Sequence, residues 1–303
     1  MDLSIVIVSW NTRDFLRRCL ESVQRTCDSL SYEVLVVDNG STDGSVELVA
    51  EEFPDVVLLR NTENVGFARA NNQAIQRSRG RHVLLLNSDA ELIGSTAQRI
   101  VEFLDAHPEA GALGGQLLNP DGSFQSSYAD FPSLGGELLL LTGLARWLRW
   151  PGYPFYPEAR SQQVRSVDWV SGALLAVRRS AIEAVGALDE DYFMYTEETD
   201  WCYRLRQAGW ATAYLPEAKA YHYAGGSARR VPEVKRAQLY HSKRLFFQKH
   251  YGSALARCFS ALVRSTSVLK LVPWFIYGIA SRSERRLLAR QNVAAYRYLL
   301  AHF

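Results

Sequence analysis

The 303 residues include only four cysteines, Cys19, Cys27, Cys202 and Cys258, and none forms a CxxC pair or a metal-ligand spacing. That excludes a disulfide scaffold and a cysteine-held metal, and the expectation is reduced thiols in a cytosolic protein. No apolar run is read as reaching the ~18–20 residues that span a bilayer. The chain is expected to enter a strand by residue 3 with no signal peptide. Repeats and low-complexity stretches are missing too. Acidic residues are scarce at one end. Residues 228–303 hold 15 Lys+Arg and 2 Asp+Glu, a balance of +13, whereas the rest of the chain stands at −11. Such asymmetry points to a tail facing an anionic surface, membrane or nucleic acid. What remains is ordinary for a globular protein, 48% hydrophobic and 22% charged, and long enough for a large core in one or two domains.

His82–Glu91 organises the rest. Val83–Leu86 is apolar without alternation, which predicts a strand buried on both faces. It stops at Asn87-Ser88-Asp89, where the chain emerges at the strand's carboxyl end, the edge at which open α/β sheets bind ligands. Asp89 there can hold a divalent cation against a diphosphate; the other reading is a polar turn capping the next helix. Further strands are expected at Leu3–Val8, Glu33–Val37, Val56–Leu59 and Ala112–Leu117. Helices are expected from a Thr12 cap to Gln24, up to Phe53, up to Ser78, and over Gly94–Ala106. This strand–loop–helix repetition implies parallel strands with right-handed crossovers. Asn119-Pro120-Asp121-Gly122-Ser123 is a turn, and residues 125–164 read as irregular. Beyond them come a strand pair or bulged strand over Val167–Val177 and a short helix over Arg178–Val185. A helix over Glu197–Gln207 ends at Gly209. Then come a strand over Ala211–Leu215, a loop over Ala220–Ser227 carrying His222, and helix from Pro232 onward.

Four polar clusters follow strands or sit in loops of one edge: Ser9–Asn11, Asp38–Asp43, Asn64–Phe67 and Asn87–Asp89. Parallel topology brings them together. Asp38 can accept a hydrogen bond from a nucleobase N–H or a ribose hydroxyl, or it can form an Asx-turn with Gly40. Asn64-Val65-Gly66-Phe67 opens a helix whose free N–H groups can meet a phosphate, or it simply starts that helix. Its glycine pattern is not GxGxxG, which argues against a dinucleotide cofactor.

Together these residues resemble family 2 of the inverting, nucleotide-sugar-dependent glycosyltransferases. The resemblance runs through residues 4–11, 37–43, 64–68, 85–89, Asn119–Ser123, Trp169–Ala173, Leu188–Phe193, Glu197–Arg204 and His222 with Gly225-Gly226-Ser227. It covers roughly residues 2–250 and is nearest the bacterial rhamnosyltransferase branch. It implies an α/β GT-A type fold, a single mainly parallel sheet flanked by helices, and a divalent ion, Mg²⁺ or Mn²⁺. Residues 1–230 would form the catalytic domain (1–118 for the nucleotide, 119–230 for the acceptor) and 231–303 a basic helical extension. By the same resemblance Asp38 contacts the base and Asp89 ligates the metal with His222. Ser9, Asn11, Asn64, Gly66, Phe67, Asn87 and Ser88 complete the donor site. Glu198 is the general base that deprotonates the acceptor hydroxyl, and Trp169, Glu197, Asp200 and Arg204 face the acceptor. Asn87 stands where a strict DxD motif has its first aspartate, and Glu198 where the family usually has Asp. Helix-start charges are the alternative for Glu197 and Asp200, a structural role for His222, and a surface pair for Arg204.

The resemblance further implies a dTDP- or UDP-sugar donor, with dTDP-L-rhamnose as the expected one. It implies a glycan or lipid-linked glycan acceptor for cell-surface polysaccharide. The basic tail, with Arg257, Arg264, Lys270, Arg282, Arg285, Arg286 and Arg290 among Trp, Phe and Leu, fits an interfacial helix on anionic lipid. That places the protein peripherally on the cytoplasmic face of a membrane. Packing on the core or on a second copy is the other reading. A catalytically degenerate nucleotide-sugar-binding or scaffold protein is the rival to the enzyme. Nucleic-acid binding rests on the tail charge alone, with no motif, and is not expected.

Overall fold

A computed structural model describes residues 1–27, 30–148, 162–223, 232–280 and 284–303. Gly225-Gly226-Ser227 and Arg282, singled out above, lie outside the described residues. In chain order the elements are β1 (Leu3–Ser9), α1 (Arg13–Thr26), β2 (Tyr32–Asn39), α2 (Ser45–Glu52), β3 (Val57–Asn61), α3 (Phe67–Ile75), β4 (His82–Leu86), β5 (Ala90–Ile93), α4 (Thr96–Ala106) and β6 (Ala110–Leu118). They continue as β7 (Phe124–Gln125), β8 (Tyr128–Ala129), α5 (Leu134–Thr142), α6 (Leu144–Trp147), β9 (Arg165–Val167), β10 (Trp169–Val170), β11 (Leu174–Arg178), α7 (Arg179–Val185), α8 (Glu197–Gln207) and β12 (Ala211–His222). α9 (Pro232–Phe246), a π-turn at Phe247–Tyr251, α10 (Ser253–Ala280) and α11 (Glu284–His302) complete the chain. Two compact units result: Met1–Phe131, Pro154–Phe193 and Glu197–Ser227 make the sheet unit, and Pro132–Tyr153, Met194–Thr196 and Ala228–Phe303 the helical unit.

The sheet unit is an α/β sheet in the order β3-β2-β1-β4-β11-β6-β12-β5. β1 pairs in parallel with β2 and β4, β2 with β3, and β6 with β12. Strand alternation sends side chains to two cores. Leu3, Ile5, Ile7, Val36, Leu84 and Leu86 meet Leu16, Cys19, Leu20 and Val23 of α1 on one face. Val6, Leu35, Val37, Val83 and Leu85 meet Ala70, Ala74 and Ile75 of α3 on the other. Each such side chain contributes about 1.5–3 kcal/mol, which is why β4 has no polar face. The order turns back between β1 and β4, and a crevice opens at the carboxyl ends of strands at such a point.

Three elements add to the sequence reading. β11 enters antiparallel between β4 and β6, a direction the reading of Val167–Val177 left open. A short strand, β5, follows the Asn87–Asp89 turn directly and pairs antiparallel with the end of β12. That pairing extends β12 to His222, opposite Ala90, so this histidine sits on a strand end and not in a loop.

In the helical unit Leu141, Phe247, Ala256, Phe259 and Val263 form a small core. Phe247 and Phe259 stack with centroids 4.9 Å apart. The buried Lys243 donates to Glu137 at 2.6 Å. Lys270 interrupts the apolar run on α10, yet Ser253–Ile279 is long and apolar enough, by length and composition, to cross a bilayer. This corrects the expectation that no such segment exists. The helix leaves Val268, Leu269, Val272, Phe275, Ile276 and Ile279 exposed.

Candidate active site

The β2–α2 loop is built around Asp38, which is 3% exposed. Its Oδ2 accepts the Ser41 N–H at 3.0 Å, an Asx-turn. Oδ1 is buried and has no hydrogen-bond partner among the described residues. A buried carboxylate oxygen left bare is costly, and a donor on a bound ligand would offset that cost. Asp38 lines a cleft of about 350 Å³ with Gly40, Ser41, Thr42, Arg60 and Asn61. Asn11 holds that loop from β1, in the left-handed region at φ 54°. Its N–H donates to Ser41 Oγ at 2.9 Å, and its Oδ1 accepts the Thr42 N–H at 2.8 Å.

Thr12, expected to cap α1, caps nothing with its side chain. Its hydroxyl bonds Ser9 Oγ at 3.0 Å and Ser88 Oγ at 2.9 Å. Ser9 and Ser88 thereby join a buried hydroxyl chain that ties β1 to the turn after β4.

The Asn87–Asp89 turn carries the second polar focus. The Asn87 N–H donates to Ala173 O at 3.2 Å, and the turn leads into β5, so it caps no helix. Asp89 Oδ1 lies 3.3 Å from His222 Nε2, and Asn87 Nδ2 lies 3.2 Å from the same nitrogen. Oxygen and imidazole donors at that spacing suit Mn²⁺, and the carboxylate suits Mg²⁺. No cluster of three His, Cys, Asp or Glu side chains suited to a metal exists among the described residues. Asp89 and His222 are the two side chains here that would hold a divalent ion.

The Asn64–Phe67 loop does something other than expected. Asn64 Oδ1 accepts Asn39 Nδ2 at 2.9 Å and the Gly66 N–H at 3.0 Å. The Phe67 N–H donates to Phe193 O at 2.7 Å, so this helix-start donor is not available to a phosphate. Gly66 has φ 91°, and a Cβ there would stand 2.6 Å from Phe193 O. Only glycine lets this turn meet the segment that leads to α8. Asn39 clamps the loop, its Oδ1 taking the Val65 N–H at 3.1 Å. The sequence reading passed over Asn39 because it is a strand-end residue in an Asp-Asn-Gly stretch that looks like turn chemistry alone.

The acids at the start of α8 separate by burial. Glu198 is half-buried, while Glu197 and Asp200 are buried. A Cβ on Gly172 would stand 3.8 Å from Glu198 Cβ and 3.6 Å from the Phe67 ring. Gly172 adjoins Ala173, whose carbonyl holds Asn87. Burial, reinforced by the neighbouring Glu198 charge, pushes the Glu197 carboxyl well above the ordinary carboxylate range. Asp200 accepts Arg204 Nε at 2.8 Å and the Tyr192 hydroxyl at 3.4 Å. Arg204 also donates to Val185 O and Ala187 O, both at 2.8 Å. These bonds brace the α7–α8 connection and fit the alternative of a charged pair named for Arg204. Trp169, half-buried on β10, donates Nε1 to Asp130 O at 2.9 Å.

Hydrogen bonds and chain neighbours thus link Asp38 through Ser41, Asn11, Thr12 and Ser88 to Asp89, which lies 3.3 Å from His222, and Glu198 sits beside Gly172, next to the Ala173 that holds Asn87. Fold and site together define a GT-A glycosyltransferase. The model of glycosyl transferase family 2 matches residues 4–186, and the chain belongs to that family. Within it, the chain is rhamnosyltransferase-like. It is 33% identical over 268 residues to the N-acetylglucosaminyl-diphospho-decaprenol L-rhamnosyltransferase of Mycobacterium tuberculosis, covering 82% of this chain and 85% of that one. It is 24% identical over 269 residues to rhamnosyltransferase WbbL of Escherichia coli, covering 86% and 92%. A mannosyltransferase from Pyrobaculum calidifontis, solved with GDP-Man and Mn²⁺, superposes with a TM-score of 0.59 at 18% identity, covering 99% of this chain and 85% of that one.

Proposed function

We propose that the protein transfers L-rhamnose from dTDP-L-rhamnose, with inversion, to a saccharide or polyprenyl-diphosphate-linked glycan. The bare, buried Oδ1 of Asp38 carries this reading. It asks for an N–H donor inside a cleft of nucleobase size, and the imide N–H of thymine or uracil is such a donor. The lipid-linked substrates named for the mycobacterial relative support the acceptor class. Residues 1–118 hold the donor and 119–230 the acceptor. Asp89 and His222 would hold Mg²⁺ or Mn²⁺, and the ion would supply charge to offset that growing on the departing nucleoside diphosphate.

Glu198 takes the proton from the acceptor hydroxyl as that oxygen bonds the anomeric carbon. The bond from that carbon to the diphosphate breaks, and dTDP leaves. Of the three acids at the start of α8, Glu198 alone keeps an exposed portion. Burial of Glu197 disfavours its charged form, which lowers the repulsion beside Glu198. Trp169 and Glu197 border the acceptor side. The exposed α10 stripe, flanked by the exposed Arg257, Arg264, Arg286 and Arg290, attaches the protein to anionic lipid on the cytoplasmic face. Arg285 belongs to the same sequence cluster, and its side chain lies outside the described set. A panel of nucleotide sugars tests this function. Release of dTDP from dTDP-L-rhamnose is expected to require added Mg²⁺ or Mn²⁺, and to fall by on the order of 10³-fold in Asp89→Ala. Equal turnover in that variant would refute the assignment.

A further inference from the structure

The Asn119–Ser123 turn has no part in the reaction as described, yet its bonds lead to His222. The turn is closed by the Asn119 N–H to Ser123 O at 2.8 Å and the Gly122 N–H to Asn119 O at 2.8 Å. Asn119 Nδ2 donates to Ser123 Oγ at 2.9 Å, so its Oδ1 faces the other way. That oxygen accepts Gln125 Nε2 at 2.9 Å. The same Nε2 lies 3.2 Å from the backbone oxygen of His222. With its nitrogen bound to two acceptors, the Gln125 amide has only one orientation. Its Oε1 points at His222 Nδ1, 2.6 Å away.

We propose that Gln125, held by the Asn119 turn, is a positioning residue that fixes His222 as the Nδ1–H tautomer. An amide oxygen accepts and cannot donate, so Nδ1 must carry the hydrogen. In the neutral ring Nε2 is then an acceptor, 3.2 Å from Asn87 Nδ2, whose N–H it takes, and 3.3 Å from Asp89 Oδ1. Two acceptors at that spacing across Asp89 and His222 repel unless a proton or a metal cation lies between them. The turn therefore sets up a cation-seeking pair before any donor arrives. A histidine ligand whose other nitrogen is fixed in this way binds metal about 10–100-fold better than one whose outer partner is removed. The inference rests on the Asp89–His222 ion site proposed above.

The test uses the full chain, labelled with ¹⁵N-histidine, without metal and at about pH 8.5, where an ordinary imidazole is neutral. The His222 signals are identified by their loss in His222→Ala. Wild type is expected to show the Nδ1–H pattern of ¹⁵N shifts, Gln125→Leu to lose it, and Gln125→Glu, which keeps an acceptor, to retain it. In parallel, Mn²⁺ binding in the presence of UDP is followed by electron paramagnetic resonance. Affinity is expected to fall about 10–100-fold in Gln125→Leu. A wild-type protein in the Nε2–H form, or an unchanged tautomer in Gln125→Leu, overturns the proposal. Mn²⁺ affinity unchanged in His222→Ala refutes the ion site instead, and the two failures are told apart.

Discussion

In the sheet unit Leu3, Ile5, Val6 and Ile7 are fully buried, while α10 of the helical unit leaves Leu269 at 72% and Ile279 at 65% exposed. Both stretches are apolar, and they answer to different surroundings. The sheet unit satisfies its apolar residues internally and aims its polar ones at a cleft. The helical unit has a small core and leaves an apolar stripe exposed, on positions 268, 272, 275, 276 and 279 of one helical face. Under the proposed function the first unit carries the chemistry and the second the attachment.

The largest effect that would break this division is at Glu198. Glu198→Gln is expected to lower transfer by about 10²–10⁴-fold with lipid-linked and short soluble acceptors alike. Activity surviving in that variant would move the base elsewhere. Next, Asp38→Ala removes an acceptor from the base, a charged hydrogen bond of about 1.5–3 kcal/mol. A rise in donor KM of roughly 10–100-fold is expected, with kcat affected less. A change confined to kcat would contradict the base contact.

Leu269→Gln with Ile276→Gln sharpens the other side. Binding to anionic vesicles is expected to fall at least about tenfold, given ~1.5–3 kcal/mol per buried side chain, while turnover of a soluble acceptor stays unchanged. Equal vesicle binding would make the stripe a protein-facing surface. The smallest effect concerns Glu197. Its carboxyl titrates well above the ordinary range when folded, so between the ordinary value and the folded one it is protonated in the folded chain and ionised in the unfolded one. Stability therefore falls as pH rises above about 4.3, the ordinary glutamate value, toward the folded value. Glu197→Gln does not titrate, and its gain in melting temperature over wild type is expected to grow as pH rises above about 4.3. A constant difference would refute the buried neutral acid.

Much of the sheet unit is legible in the sequence because its signals are local. Val83–Leu86 reads as a two-face strand from four consecutive residues, and Asp89 follows from its place after it. Glu197–Gln207 announces its start by acids and its end by Gly209. β11 is not legible as an antiparallel insertion, since apolar content says nothing about direction. Nor is β5, four residues defined only by the partner it finds in β12. Asp200 and Arg204 are only half legible for a related reason. Their spacing reveals the pair, but the Val185 and Ala187 carbonyls that claim Arg204 come from another element. Gln125 is silent for the same cause, its meaning lying 97 positions away at His222.

A crystal structure of the full chain with dTDP and Mn²⁺ is the most direct measurement. The expected result is an anomalous manganese peak bonded to Asp89, His222 and the diphosphate, with the thymine N–H on Asp38 Oδ1. Manganese held away from Asp89 and His222, or a thymine that leaves Asp38 Oδ1 bare, would contradict it.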